Sequence, residues 1–312
     1  MTSRSSASGR RRAVAAAAAV LAGAALFAGT APAQAHQGRP TGTHAHPRPH
    51  TGTHAHRVDY VALGDSYASA PGVPDQVDAT CLRSSANYPS LVARATGAKL
   101  TDVTCSGATT ADMTGPQGTV APQLDVLERG TDLVTLTVGG NDIGFTTVLG
   151  TCAKLSASDP SGAPCAEHLT STGTDQVTGA INASAPKIAD VLRRIHRRAP
   201  HARVVLVGYP DLFPEDGVAC TSATVPLAAG DFPYLRDKEK ELNAMLAREA
   251  RRGGARYVDT YGPTVGHDLC RPTGTRWIET FAPQPPAAPL HPNAAGESAM
   301  AGAVAHSLPG RR

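Results

Sequence analysis

From Arg57 onward, the apolar residues fall into two alternating patterns. Five short runs are rich in β-branched residues and bounded by Gly, Pro or polar positions: Val58–Gly64, Leu100–Cys105, Asp132–Val138, Arg203–Gly208 and Ala255–Asp259. That pattern predicts strands. Between them apolar residues recur at helical spacing. Tyr88, Leu91, Val92 and Ala95 do so in Asn87–Thr96; Ile188, Val191, Leu192 and Ile195 in Ile181–Ala199; and Leu235, Leu242, Met245 and Leu246 in Tyr234–Arg252. The Ala-rich stretch Asn293–Leu308 predicts a closing helix. Buried strands alternating with helices imply an α/β fold with a parallel sheet covered on both faces. Two stretches, 143–180 and 209–232, carry cysteines, Gly and Pro with little periodicity and are expected to be disulfide-tied loops.

The first 56 residues follow neither pattern. Arg10, Arg11 and Arg12 precede an apolar run from Ala13 to Phe27, and Ala33-Gln34-Ala35 then offers a cleavage site before His36. This is the layout of a signal peptide over residues 1–35. The competing reading, a membrane anchor, needs about 20 apolar residues, more than the run supplies. Residues 36–56 read as a His/Pro-rich disordered linker: TGTHAH occurs at 41–46 and again at 51–56, among six histidines. Those imidazoles could take up metal ions adventitiously, but the tract holds no carboxylate to orient them, and a flexible spacer is the simpler reading. One domain, residues 57–312, remains for the chemistry.

Charge changes the picture only once the leader is removed. The formal net charge is +3 from 29 Lys and Arg against 26 Asp and Glu. Residues 1–35 hold four arginines and no acid, so the remainder carries 25 basic and 26 acidic groups. No phosphate-binding footprint survives, and nucleic acid is excluded as a partner. At 41% hydrophobic residues the chain can bury a core. All six cysteines, Cys81, Cys105, Cys152, Cys165, Cys220 and Cys270, follow the leader. An even number in an exported chain implies disulfides, with the pairing left open. The absence of a CxxC pair argues against a zinc or redox site, and no metal or cofactor is expected.

In a parallel sheet, ligands gather at the carboxyl ends of the strands. The first strand ends in Gly64-Asp65-Ser66-Tyr67, the second in Cys105-Ser106-Gly107-Ala108-Thr109 and the third in Val138-Gly139-Gly140-Asn141-Asp142; His291-Pro292-Asn293 precedes the last helix. Each has a plain explanation as a turn, a cap or a loop. Together, in this order, they supply a hydroxyl, backbone and amide donors, and an imidazole, the parts of nucleophilic acyl transfer.

The blocks GDSY, CSGATT, GGND and HPN resemble those of the SGNH (GDSL) hydrolases. Segments such as CLRSSANYP, TDLVTLTVGGND and RAPHARVVLVGYP extend the likeness to secreted actinomycete GDSL lipases over essentially all of the chain after residue 57. The resemblance implies a three-layer α/β/α sandwich around a five-stranded parallel, flavodoxin-like sheet in the order 2-1-3-4-5. It makes Ser66 the nucleophile and His291 the general base and acid. It gives the Ser66 N–H, the Gly107 N–H and the Asn141 amide as the oxyanion hole, and it implies the bridges Cys81–Cys105, Cys152–Cys165 and Cys220–Cys270. Many relatives place an Asp three residues before the histidine, where this chain has Ala288. The expectation is therefore a Ser–His dyad whose imidazole is oriented by the main-chain oxygen of Ala288. Glu279 and Asp268 are the nearest carboxylates in sequence, and Asp65 and Asp142 are expected to be structural.

The expected function is a secreted lipase or carboxylesterase acting as a monomer on a small-molecule or lipid ester, with transient contact at lipid surfaces. A phospholipase A1, a sugar O-acetylesterase or a thioesterase on the same scaffold is the alternative. A non-enzymatic, histidine-rich metal-binding surface protein is a third reading, opposed by the intact Ser66, Gly107, Asn141 and His291. The run Phe281–Leu290, rich in Pro and Ala, either borders the acyl groove or stiffens the approach to His291.

Overall fold

The computed structural model describes residues 57–283 and 286–308. The leader and the histidine-rich segment of residues 1–56 lie outside these, as do Gln284 and Pro285 of the Pro/Ala-rich run. The strands are β1 (Asp59–Gly64), β2 (Gln76–Asp78), β3 (Arg83–Ser84), β4 (Lys99–Asp102), β5 (Leu133–Thr137), β6 (Arg203–Val207) and β7 (Arg256–Val258). The α-helices are α1 (Ser66–Ser69), α2 (Tyr88–Thr96), α3 (Phe145–Ser156), α4 (Pro164–Thr170), α5 (Gln176–Arg198), α6 (Asp231–Arg252) and α7 (Ala294–Ser307).

Five strands form one parallel sheet in the order β4-β1-β5-β6-β7. Counted within this sheet alone, that is 2-1-3-4-5. β1 is buried from Tyr60 to Gly64 and β5 throughout, as central strands of a sheet covered on both faces must be. The phenol of Tyr60 meets Thr135 Oγ1 at 2.8 Å and that of Tyr88 meets Thr137 Oγ1 at 2.9 Å, so the two largest polar groups against β5 are satisfied inside the core.

Three helices start where a side chain caps them. Asn87 accepts from the Ser90 N–H at α2, Asp175 from Val177 and Thr178 at α5, and Asn293 from Ala295 and Gly296 at α7. Helix α5 buries Val177, Ile181, Ser184, Ile188, Val191, Leu192 and Ile195, a stripe at three- and four-residue spacing, and packs on α6. Helix α2 packs on α7, and the fully buried Glu297 of α7 accepts the Tyr88 N–H at 2.7 Å.

Two sequence expectations need correction. Residues 143–180 are not a loop: they hold α3, α4 and the first turns of α5. The buried face of α3 consists only of Leu149, Cys152 and Ser156, diluted by Gly and Thr, which erases the apolar period. The hairpin β2–β3 has no alternation to announce it. Residues 209–230 do remain without a helix, and α6 begins at Asp231. The expected second strand stops at Asp102 instead of Cys105, although the Val103 and Cys105 N–H groups still bond to Ala62 and Gly64 of β1.

The structure joins Cys81 to Cys105, Cys152 to Cys165 and Cys220 to Cys270, closing separations of 24, 13 and 50 residues. The first fastens the hairpin to the end of β4, the second α3 to α4, and the third the loop after β6 to that after β7. The loop-entropy argument gives about 4 kcal/mol for the longest closure and about 3 kcal/mol for the shortest. Replacing Cys220 and Cys270 by Ser should therefore lower the melting temperature more than replacing Cys152 and Cys165, as differential scanning calorimetry can measure.

Candidate active site

The site forms where β1 ends. Gly64 has φ +152°, and a Cβ there would lie 2.7 Å from the Thr137 carbonyl oxygen, so only glycine lets the chain turn this close to β5. Gln123 grips the same residue twice: its Oε1 accepts the Gly64 N–H at 2.7 Å and its Nε2 donates to the Gly64 oxygen at 2.9 Å. Asp65 then caps the short helix α1, its Oδ1 accepting the Tyr67 N–H at 3.0 Å. Ser66 is thereby presented at the first position of α1. Its N–H has no hydrogen-bond partner among the described residues.

His291 arrives from the far end of the chain. Its Nε2 lies 2.7 Å from Ser66 Oγ. Its Nδ1 lies 2.7 Å from the main-chain oxygen of Pro289, not of Ala288 as expected. The reason is local: the Ala288 carbonyl is taken by the His291 N–H, which closes a tight turn with Leu290 at φ +63° and leaves the next carbonyl facing the ring. Tyr67 packs against the imidazole with centroids 5.0 Å apart and donates its hydroxyl to the Leu290 oxygen at 2.7 Å. Removal from water disfavours the imidazolium and holds the His291 pKa below its ordinary 6.5; the Pro289 contact only partly offsets this.

Neither nearby carboxylate reaches the ring. Glu279 is fully buried and engaged with Arg276 Nε at 2.9 Å and Asn293 Nδ2 at 2.7 Å. Asp268 accepts from the Cys270 N–H and from Arg271 Nε. Asp142 holds Thr110 through its N–H and hydroxyl. Asp65 is buried beside Ser66. Desolvation pushes its pKa up from 3.8 to about 7, against the hydrogen bonds from Tyr209 and Tyr67.

Gly107 and Asn141 border the same cavity as Ser66 and His291. Gly107 sits at φ +82° in a loop held by the Cys81–Cys105 bridge and by the Ser106 N–H bond to the Cys81 oxygen at 2.9 Å. Its own N–H has no partner among the described residues. Asn141 Nδ2 spends one hydrogen on the Ala108 oxygen at 2.9 Å and keeps its second. The cavity, of about 260 Å³, runs from these donors into a wall of Ile143, Phe145, Leu149, Leu212, Leu235 and Leu242. Such a site can attack a carbonyl, stabilise the resulting oxyanion and shelter an apolar substituent. Among the described residues no cluster of three His, Cys, Asp or Glu could hold a metal ion.

Sequence reasoning singled out Ser66, Gly107, Asn141 and His291, and the fold brings all four to one cavity. It missed Gln123, Tyr67 and Tyr209. Tyr67 and Tyr209 left a readable sign, since each lies at a strand carboxyl end.

A family model of GDSL-like Lipase/Acylhydrolase proteins matches residues 62–299. Lipase 2 of Streptomyces coelicolor is 47% identical over 251 residues, which cover 78% of this chain and 83% of that protein. Among solved structures, phospholipase A1 from Streptomyces albidoflavus superposes with a TM-score of 0.68 at 28% identity, covering 81% of this chain and 100% of its own. The extracellular lipase from Streptomyces rimosus gives 0.68 at 30% identity, covering 80% and 100%.

The side-chain network yields a prediction. Glu279→Gln should cost about 3 kcal/mol of stability, because Arg276 is left buried beside a neutral partner. Turnover per folded molecule should fall less than about tenfold for Glu279→Gln and for Asp268→Asn, whereas loss of a true orienting acid costs about 10⁴. Thermal melts read beside initial rates check both statements, and a thousandfold loss with folding intact would contradict them.

Proposed function

Because the chain belongs to the GDSL-like Lipase/Acylhydrolase family, we propose that this carboxylic ester hydrolase works through an acyl-enzyme on Ser66, with His291 as general base and then general acid. The observation that carries the reading is the 2.7 Å contact between His291 Nε2 and Ser66 Oγ at the mouth of an apolar cavity. The Pro289 carbonyl accepts the Nδ1 proton, which leaves the Nε2 lone pair to receive the serine proton as Oγ attacks the ester carbonyl. The oxyanion takes hydrogen bonds from the Ser66 N–H, the Gly107 N–H and the free hydrogen of the Asn141 amide. His291 returns its proton to the leaving alcohol, then draws one from water as that water opens the acyl-enzyme, and passes it to the departing Ser66 Oγ. Every step is a proton or acyl transfer between groups named here.

The substrate read from the cavity is a lipid ester. Each methylene buried along the Ile143–Leu242 wall contributes ~0.8 kcal/mol, about fourfold in binding, and an acetyl group would leave most of the wall unused. The phospholipase A1 activity named for the Streptomyces albidoflavus protein, on the same fold, makes the ester of a glycerophospholipid a second candidate. Residues 1–35 are the export signal and 36–56 a spacer ahead of a catalytic domain at 57–312, in keeping with three disulfides and with no helix among the described residues long and apolar enough to cross a membrane.

Three outcomes follow from this reading. Ser66→Ala should abolish hydrolysis of p-nitrophenyl esters with the melting temperature within about 2 °C of wild type, a small shift for a domain of this size; retention of more than a few per cent of the activity would remove Ser66 from the mechanism. Across acetate, butyrate and octanoate esters, kcat/KM should rise at least tenfold before the cavity fills, and a preference for acetate would overturn the lipid assignment. Because the His291 pKa lies below 6.5, the neutral base persists into mildly acidic solution, so the acid limb of kcat/KM should fall below pH 6.5. A pH–rate profile with its limb above 7 would contradict the assigned base.

A further inference from the structure

Ser66, Gly107 and Asn141 leave three different strands, so something must fix their separations. Tyr209, in the loop after β6, touches two of the three loops through a single atom. Its hydroxyl donates to Asp65 Oδ2 at 2.6 Å and accepts the Gly140 N–H at 2.8 Å. Asp65 immediately precedes Ser66, and Gly140 immediately precedes Asn141. One oxygen therefore spans the residue before the nucleophile and the residue before the amide donor.

The span is rigid at every end. Asp65 is also held by its bond to the Tyr67 N–H. The Tyr209 backbone is clamped on both sides by Asn243, whose Oδ1 accepts the Tyr209 N–H at 2.9 Å while its Nδ2 donates to the Tyr209 oxygen at 2.9 Å. The Tyr209 ring meets Tyr67 edge-on, with centroids 5.0 Å apart. A Cβ on residue 140 would come within 3.2 Å of the phenol oxygen, so the contact also depends on glycine there. Tyr209 is 4% exposed and Asp65 1% exposed, so the bond between them is shielded from water. A phenylalanine ring would fill the same space; only the hydroxyl couples the loops.

We infer that Tyr209 is a positioning residue whose hydroxyl sets the distance between Ser66 and the Asn141 amide, so that oxyanion stabilisation by Asn141 depends on it. The inference rests on the roles proposed above for Ser66 and Asn141. Misplacing one preorganised donor reduces turnover without weakening ground-state binding.

The test is a double-mutant cycle on a p-nitrophenyl ester, with Tyr209→Phe, Asn141→Ala and the combination, beside Ser66→Ala. Tyr209→Phe should lower kcat by about tenfold to a hundredfold and change KM less than about threefold. In the Asn141→Ala background the same substitution should lower kcat less than about threefold, because the donor it positions is gone. Equal fold-losses in both backgrounds, or an unchanged kcat in Tyr209→Phe, would overturn the inference. Asp65→Ala removes the acceptor at the other end of the bridge and repeats the cycle should Tyr209→Phe fold poorly. An inert Ser66→Ala with an additive cycle removes Tyr209's role alone; an active Ser66→Ala removes the site assignment and this inference with it.

Discussion

A histidine must reach a serine 225 positions earlier in the chain and stop 2.7 Å from its hydroxyl, and most of the polar structure around the cavity serves that distance. On the serine side, Gln123 clamps Gly64 and the Asp65 N–H bonds to Thr137, so the turn after β1 cannot drift from β5. On the histidine side, the Glu279 N–H bonds to the His291 oxygen and the Leu290 N–H to the Glu279 oxygen, a main-chain bracket. Tyr67 joins the two halves. It follows the serine in sequence, yet it holds the Leu290 carbonyl and lies against the imidazole.

The absence of an acid at position 288 is then intelligible. Glu279, the carboxylate nearest the bracket, is committed to Arg276 and Asn293, where it secures the loop that carries the ring. The ring itself is oriented by a neutral carbonyl. A carbonyl fixes the tautomer as a carboxylate would, but it offers no opposite charge to the imidazolium that the proposed attack would form. In the resting protein burial lowers the basicity of His291, and the Pro289 carbonyl offsets this only in part. In the mechanism proposed above, the missing charge would leave more of the barrier to the oxyanion donors, and so to how well Ser66, Gly107 and Asn141 are held apart.

The fold was legible where burial is one-sided or complete. The five sheet strands and the helices at Tyr88–Thr96 and Asp231–Arg252 follow their apolar periods to within a few residues, because each packs a continuous face against the core. Helix α3 was not legible, since a three-residue buried face tied down by Cys152–Cys165 needs no periodic stripe. In the site, the side chains at strand ends could be read because the topology of a parallel sheet collects them. The acceptor for His291 could not, because whether Ala288 or Pro289 faces the ring is decided by one turn with Leu290 in a left-handed conformation, and nothing in the residue types encodes that choice. Gln123 was invisible for a related reason: its partner is main chain, and sequence carries no mark of where main chain will pass.

The buried Asp65 also ties the stability of the whole protein to pH. In the unfolded chain this carboxyl loses its proton near 3.8, in the folded one at about 7. The folded state thus binds this proton more tightly between those values, and the contribution of Asp65 to stability declines as pH rises through that window and then levels off. At about 1.4 kcal/mol per pH unit the decline is on the order of 4 kcal/mol, comparable to a disulfide closure. Paired surface carboxylates have the opposite slope; burial raises the pKa of Glu239 and Glu297 as it does that of Asp65, so all three weigh on the fold at neutral pH. Asp65 thus weakens the fold at neutral pH while its hydrogen bonds hold the turn that carries Ser66.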